Sequence, residues 1–158
     1  MKIGVIGAGA AGLIAGAFAA KGGARVDIID RNEKTGKKLF LTGKGRCNIT
    51  NSADIDAFLK NVPHNGRFLY SAFDGFFNDD IIGLINSCGV RTKLERGGRY
   101  FPESDKSSDV IRALQTNAVR CGANIVLNSR VSSVSKTEDG GFRLCFENGQ
   151  KKYYDKVI

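Results

Sequence analysis

An α/β fold, a parallel sheet followed by an antiparallel three-stranded meander, is predicted by three observations. A glycine-rich turn, Gly7-Ala8-Gly9-Ala10-Ala11-Gly12, separates a short apolar run from a helix of small residues. A second apolar run, Val26-Asp27-Ile28-Ile29, ends on the carboxylate of Asp30. The last part of the chain carries two glycine-containing hairpin joints, Asp139-Gly140-Gly141 and Asn148-Gly149, between short strand-like segments.

The elements follow in order. Ile3-Gly4-Val5-Ile6 reads as a buried parallel strand over 2–6, followed by a helix over 10–21 and a strand over 25–30. A right-handed crossover joins the two strands. Gly7 permits the tight turn out of the first strand. Gly9 has no side chain where a pyrophosphate would approach, and Gly12 lets the helix pack closely on the strand. The free N–H groups and positive dipole end of that helix favour phosphate. Asp30 closes the second strand roughly 20 residues beyond the triplet, where a carboxylate accepts hydrogen bonds from a ribose. Strand, triplet, helix, strand and acid in this order form a Rossmann-like dinucleotide-binding fingerprint.

Residues 31–53 form a long, polar, glycine-rich segment, and a stretch of that kind inside a compact domain is usually functional. Short helices are expected at 55–59 and across 67–77. Asn78 is expected to cap a helix over 79–88 that stops at Gly89. Residues 91–101 read as a hairpin around Arg96-Gly97-Gly98-Arg99. Ser107 or Ser108 caps a helix running to about Cys121, with Ile111, Leu114, Ala118 and Cys121 on its apolar face and Gly122 as its stop. A parallel strand is predicted at 124–129, and meander strands at 131–135, 142–146 and 151–157. The chain stops at Asp155-Lys156-Val157-Ile158, which resembles the start of a core strand, so a longer parent protein is expected.

The bulk composition narrows the function classes. With 158 residues, 42% hydrophobic and 25% charged, the chain suits a globular domain with a sizeable core. Lys2 followed by a largely apolar stretch to Ala20 mimics a signal peptide, but its glycines sit at fingerprint spacing and cleavage would remove a strand from the sheet. A cytoplasmic protein with no membrane partner is expected. Cys47, Cys88, Cys121 and Cys145 are widely spaced, without a CxxC pair or zinc spacing, and read as reduced thiols with no metal site. The net charge of +8 comes from basic residues scattered along the chain, densest between Lys34 and Arg46 just past the fingerprint. An anionic pyrophosphate is therefore the expected partner there, and no nucleic acid is expected.

One block is far more specific. Gly36-Lys37-Lys38-Leu39-Phe40-Leu41-Thr42-Gly43-Lys44-Gly45-Arg46-Cys47-Asn48-Ile49-Thr50-Asn51 resembles the signature loop of the BaiN/aminoacetone-oxidase-like FAD-dependent flavoproteins. Arg67-Phe68-Leu69-Tyr70-Ser71-Ala72-Phe73 and Glu95-Arg96-Gly97-Gly98-Arg99-Tyr100-Phe101-Pro102-Glu103-Ser104 resemble further blocks of that family. The resemblance covers essentially the whole chain. It implies an FAD-binding domain over 1–158, the N-terminal part of a larger flavoprotein whose substrate domain and C-terminal return segment are absent here. It also implies an oxidoreductase that passes hydride between a small organic substrate and the flavin.

By the same resemblance, Gly7, Gly9, Ala10, Ala11 and Gly12 approach the pyrophosphate and Asp30 the adenosine ribose. Members of this type usually carry Glu at that acid; Asp is one methylene shorter with the same acceptor oxygens. Arg31, Lys37 and Lys38 follow the acid and belong with the cofactor contacts. Gly45, Arg46, Cys47 and Asn48 are placed toward the flavin side, and a backbone group of Val131 meets adenine. Cys47 reads as a packing residue, since no second cysteine lies near it in sequence. Arg99, Tyr100 and Phe101 either wall a ligand or pack their hairpin. His64, the sole histidine, sits in a turn-rich loop and reads as solvated rather than as a general base. No catalytic residue is identified. The alternatives are a nicotinamide-dependent dehydrogenase, which the fingerprint alone allows, and a non-catalytic nucleotide-binding domain or fragment.

Overall fold

The computed structural model describes all 158 residues. Its elements in chain order are β1 (Lys2–Ile6), α1 (Ala10–Lys21), β2 (Arg25–Ile29), α2 (Lys37–Leu41), β3 (Thr50–Asn51), α3 (Ile55–Lys60), α4 (Tyr70–Gly75), α5 (Asn78–Ser87), β4 (Thr92–Glu95), β5 (Arg99–Pro102), α6 (Ser107–Arg120), β6 (Asn124–Val126), β7 (Val131–Lys136), β8 (Phe142–Phe146), β9 (Lys151–Tyr154) and β10 (Lys156–Val157). The chain divides into two compact units, Met1–Phe40 with Ile111–Ile158, and Leu41–Val110.

The first unit holds the predicted architecture. Its four-stranded sheet runs β10-β1-β2-β6, and every pairing is parallel. Val5, Val26, Ile28 and Ile29 are buried in it, as a sheet covered on both faces requires. Helix α1 packs through Leu13, Gly16, Ala17 and Ala20. The small residues are needed for this approach: a Cβ on Gly16 would lie 2.4 Å from the Ile28 side chain. The meander β7-β8-β9 is antiparallel. It buries Leu144, Phe146 and Tyr154 with Ile29, and Val126, Val131 and Val157 pack around them.

Several boundaries differ from the sequence expectation. The final strand is not one meander strand over 151–157. It divides at Asp155, whose N–H donates to the Lys2 carbonyl at 2.9 Å and whose carboxylate accepts the Lys2 N–H at 2.6 Å. These bonds pull β10 alongside β1, so the meander feeds the parallel sheet. The ring of Tyr154 fills the space that Gly4 leaves open, 3.2 Å from where a Cβ would stand. Strand β6 ends at Val126 rather than 129, because the chain turns at Asn128 with φ +51°.

In the second unit, β3-β5-β4 form a small antiparallel sheet. The β4–β5 hairpin was legible from Gly97-Gly98; its third strand, β3, was not. The 31–53 segment is less irregular than expected, carrying α2, a 3-10 turn over Thr42–Gly45 and β3. Residues 67–77 form a 3-10 turn over Gly66–Leu69 and then α4, rather than one helix. Asn78 does not cap α5 from outside. It is a buried residue of the helix, accepting from the Thr50 hydroxyl at 3.0 Å and donating to the Ala53 carbonyl at 2.6 Å. Phe77 takes the cap position, and its N–H is held by the Asp80 carboxylate at 2.7 Å.

Candidate functional site

In the first unit, the end of β1, the start of α1, the end of β2 and the start of β7 meet around one cleft of about 540 Å³. Gly7, Gly9, Asp30, Arg31, Lys37, Lys38 and Val131, all singled out from the sequence, line it together. Ala10, Ala11 and Gly12 form the first turn of α1 behind Gly9. Gly36, the first residue of the signature loop, lines it as well, and Asn32, Ser129 and Arg130, which were not anticipated, complete it. Their signal was position alone, flanking the acid and the residue before Val131.

Local backbone chemistry shapes this cleft. Gly7 has φ +112°, which an L side chain rarely adopts, and its N–H donates to Ile29 O at 2.7 Å. A Cβ on Gly12 would fall 1.8 Å from the Gly7 carbonyl oxygen, so helix and turn touch backbone to backbone. Gly9 is different: a Cβ there meets nothing within 4 Å, and its φ of −82° suits any residue. The protein itself therefore does not require glycine at 9. Glycine there leaves an open volume at the helix N-terminus. No side chain caps α1, and its first turn carries no acid, which leaves the helix N-terminus for an anion.

Asp30 is more engaged than a bare ribose acceptor. One oxygen accepts the Ala8 N–H at 2.7 Å; the other accepts the backbone and side-chain N–H groups of Asn32, each at 2.8 Å. The carboxylate thus ties the glycine turn to the end of β2. Each carboxylate oxygen has two acceptor sites, so Oδ2 retains capacity for a ribose hydroxyl. Lys37 pairs with Glu33 at 3.1 Å on the surface. Arg31 and Lys38 are exposed on the rim. The donor set, a side-chain-free approach at Gly9, a helix N-terminus, a carboxylate and basic rim residues, fits the ADP half of a dinucleotide.

From Leu41 onward the signature loop lies in the second unit. Gly45 has φ +88° and Cys47 φ +64°, and Cys47 donates its N–H to Thr42 O at 3.0 Å. The Arg46 guanidinium accepts nothing and donates widely: Nε to Asp105 at 2.8 Å, and a second nitrogen to Glu95 and Asp105. It lies 4.2 Å from the Phe101 ring centroid. Lys93 bonds Asp105 at 2.7 Å and so closes the cluster. Hydrogen bonds to the cations hold the Glu95 and Asp105 carboxyls below their ordinary values. Cys47 is buried, and burial pushes its thiol up despite the Thr42 hydrogen bond, so it stays protonated at neutral pH. With its amide nitrogen facing acceptors, Asn48 donates to Thr50 O at 3.1 Å and Tyr100 O at 3.3 Å. Arg46, through Glu95 and Phe101, and Asn48, through Tyr100, brace the loop on the β4–β5 hairpin. Phe101 is buried in that hairpin. His64 is exposed in its loop.

No group of three or more His, Cys, Asp or Glu side chains is arranged to hold a metal ion. No helix is long and apolar enough to cross a membrane.

Comparison with known proteins agrees with this architecture. The family model for the HI0933-like protein Rossmann domain matches residues 1–158. The ribosomal RNA dihydrouridine synthase of Escherichia coli (strain K12) is 36% identical over 137 residues, 86% of this chain and 33% of that protein. The 3-dehydro-bile acid delta(4,6)-reductase of Clostridium scindens is 35% identical over 160 residues, 99% of this chain and 38% of that protein. The chain thus spans only about a third of these relatives' lengths. Among solved structures, THI4 of Thermovibrio ammonificans superposes with a TM-score of 0.62 at 14% identity, covering 99% of this chain and 55% of that one. Halogenase PltM in complex with phloroglucinol and FAD gives 0.54 at 19% identity, with 99% and 33% covered. At such identities these structures speak for the fold alone. Taken with the fingerprint cleft and the signature loop, the family match over the full chain establishes that this protein belongs to the HI0933-like family of FAD-binding Rossmann domains.

Proposed function

We propose that this chain carries the ADP-binding half of an FAD-dependent oxidoreductase that reduces a carbon–carbon double bond of a small organic molecule. The observation that carries the cofactor assignment is Gly9. It is open on the protein side, free of backbone strain, and set at the N-terminus of α1 beside Asp30 and a basic rim. Gly7, Gly9, Ala10, Ala11 and Gly12 would hold the pyrophosphate, Asp30 the ribose, and Val131 the adenine through its backbone. Arg31, Lys37 and Lys38 would offset phosphate charge. Gly45, Arg46, Cys47 and Asn48 are assigned to the flavin half on the family resemblance. When bound, FAD supplies hydride chemistry; the protein supplies placement and electrostatics.

What the relatives' names share supports this direction of reaction. Making dihydrouridine and reducing delta(4,6) unsaturation both saturate a carbon–carbon double bond. The four free cysteines support a reducing, cytoplasmic setting. A visible spectrum of the purified protein, with and without added FAD, tests the cofactor. Oxidised-flavin bands displaced by ADP support the reading. A colourless protein that cannot be reconstituted overturns it, and tighter binding of NAD(P) would favour a nicotinamide-dependent dehydrogenase.

A second reading concerns the substrate. Two relatives are named as ribosomal RNA dihydrouridine synthases, from Escherichia coli and from Haemophilus influenzae, at 36% and 34% identity. On this reading the reduced double bond belongs to a uracil ring within RNA. Reduction of free uridine at the same rate as of uridine in an oligonucleotide would count against it.

A further inference from the structure

The register of the meander gathers residues that are scattered along the sequence. In a strand pair, directly opposed residues share a face, and alternate residues point to opposite faces. Leu144, Phe146 and Tyr154 occupy the inner face and are buried. The outer face is therefore built from two rows, Ser135–Arg143–Tyr153 and Ser133–Cys145–Lys151. Tyr153 is 57% exposed, and Lys151 and Ser133 are exposed with it. Arg143 Nε donates to Ser135 Oγ at 3.3 Å, which spreads its guanidinium across the sheet. Neither Arg143 nor Lys151 is paired with a carboxylate. The carboxylates next in parity are occupied elsewhere: Glu147 pairs with Arg130 at 3.2 Å, and Asp155 accepts the Lys2 N–H at 2.6 Å.

We propose that this open sheet face binds single-stranded RNA. Two unpaired cations suit a phosphate backbone, and an exposed tyrosine offers a flat surface on which a base stacks. Ser133 and Ser135 add hydroxyls able to exchange hydrogen bonds with a ribose 2′-OH, the group that distinguishes RNA from DNA. An antiparallel sheet that displays an aromatic ring between cations is a geometry by which proteins hold unpaired bases. The inference rests on the RNA reading of the substrate and extends it from the reacting base to the surface that holds the flanking strand.

The test is fluorescence anisotropy of the full 158-residue chain with a labelled twelve-nucleotide oligouridine, over a salt series. The parent is expected to bind at low salt. The double variant Arg143→Gln with Lys151→Gln is expected to bind at least about tenfold more weakly, and its plot of log K against log salt should be shallower by about 1.4, two contacts at about 0.7 each. Lys21→Gln with Arg120→Gln removes the same charge from exposed helix ends and should change affinity less than about twofold. Tyr153→Ala should weaken binding about tenfold, while Tyr153→Phe, which keeps the ring, should match the parent. Thermal melting checks that each variant is folded. Equal losses in the two double variants would reduce the effect to net charge and overturn the proposal. Equal affinity for oligodeoxythymidine would overturn the assignment to RNA. A parent that does not bind oligouridine at all sinks the RNA reading and this face together, whereas a parent that binds with its face variants unaffected sinks the face alone.

Discussion

Gly9 and Gly12 stand three residues apart on one turn, yet their substitutions should fail in different ways. A side chain at Gly9 meets no protein atom, so Gly9→Val should leave the melting temperature nearly unchanged while FAD affinity collapses. Gly12→Ala places a methyl 1.8 Å from the Gly7 carbonyl oxygen, so it should cost about 1–3 kcal/mol of stability. Flavin titration and thermal melting of the two variants, side by side, check both. Retained affinity in Gly9→Val would remove the pyrophosphate from that position. Asp30 combines the two behaviours. Asp30→Ala loses the proposed ribose acceptor and also frees the Ala8 and Asn32 N–H groups. Binding of ADP should weaken by about 1–3 kcal/mol, the range for a hydrogen bond to a charged group. Isothermal titration with ADP decides this, and parental affinity would mean that the ribose is held elsewhere.

Among the elements, the join between the meander and the parallel sheet depends on a polar bracket. The Tyr154 hydroxyl donates to Asp27 at 2.9 Å, and Asn124 donates to the other Asp27 oxygen at 2.8 Å. Three strands, β9, β2 and β6, are thereby held by one carboxylate. Burial of the Tyr154 ring and its bond to Asp27 push the phenol well above its ordinary value, so it remains a donor throughout the neutral range. Tyr154→Phe keeps the buried ring and removes the bond. It should cost about 1–2 kcal/mol in urea unfolding, near the lower part of the range for a charged acceptor. No change in the midpoint would show that the bracket contributes nothing beyond the packing of the ring. In the signature loop, Arg46→Ala removes both ion pairs and the stacking on Phe101. Faster amide exchange at Arg46 and Cys47 is the expected result, and unchanged exchange would mean that the loop is held by its backbone bonds alone.

For the whole molecule, the pH dependence of stability follows from carboxylates held below their ordinary range in each unit. At Asp27, burial alone would raise the pKa, but the hydrogen bonds from Asn124 and Tyr154 and the charges of Lys152 and Lys2 outweigh it. Glu95 and Asp105 are lowered by their bonds to Arg46 and Lys93. A carboxyl whose folded pKa is depressed contributes stability that is present above its unfolded pKa, near 4, and lost as pH falls through the folded value. The urea midpoint should therefore stay level from neutral pH down to about 5 and fall steadily below about 4. Salt should weaken the exposed Arg46 cluster more than the partly buried Asp27 bracket. Asp27→Asn should flatten part of the acid limb, and an unchanged limb would assign it to other carboxylates.

The dinucleotide unit was legible in the sequence because its constraints are local. A positive φ forces glycine at 7 and a backbone contact forces it at 12, a buried parallel strand forces an apolar run, and the meander hairpins take Asp-Gly and Asn-Gly at their joints. These requirements act within a few residues and leave a readable pattern. The same locality made Gly7, Gly9 and Asp30 recognisable before their shared cleft was seen, whereas Val131 was placed by the family resemblance. What depended on contacts between distant segments was not readable. The division of the last strand at Asp155 is decided by Lys2, at the other end of the chain. The burial of Asn78 is decided by Thr50 and Ala53, and the fate of Arg46 by Glu95 and Asp105. The outer face of the meander is the sharpest case. Arg143, Lys151 and Tyr153 look like scattered surface residues in sequence, and only strand register sets them side by side. The sequence by itself determined the strand–turn–helix–strand unit and the hairpin joints, since backbone sterics and periodicity are short-range. Tertiary structure alone decided which charges meet, because hydrogen bonds and ion pairs close only when the fold brings distant partners within about 3 Å.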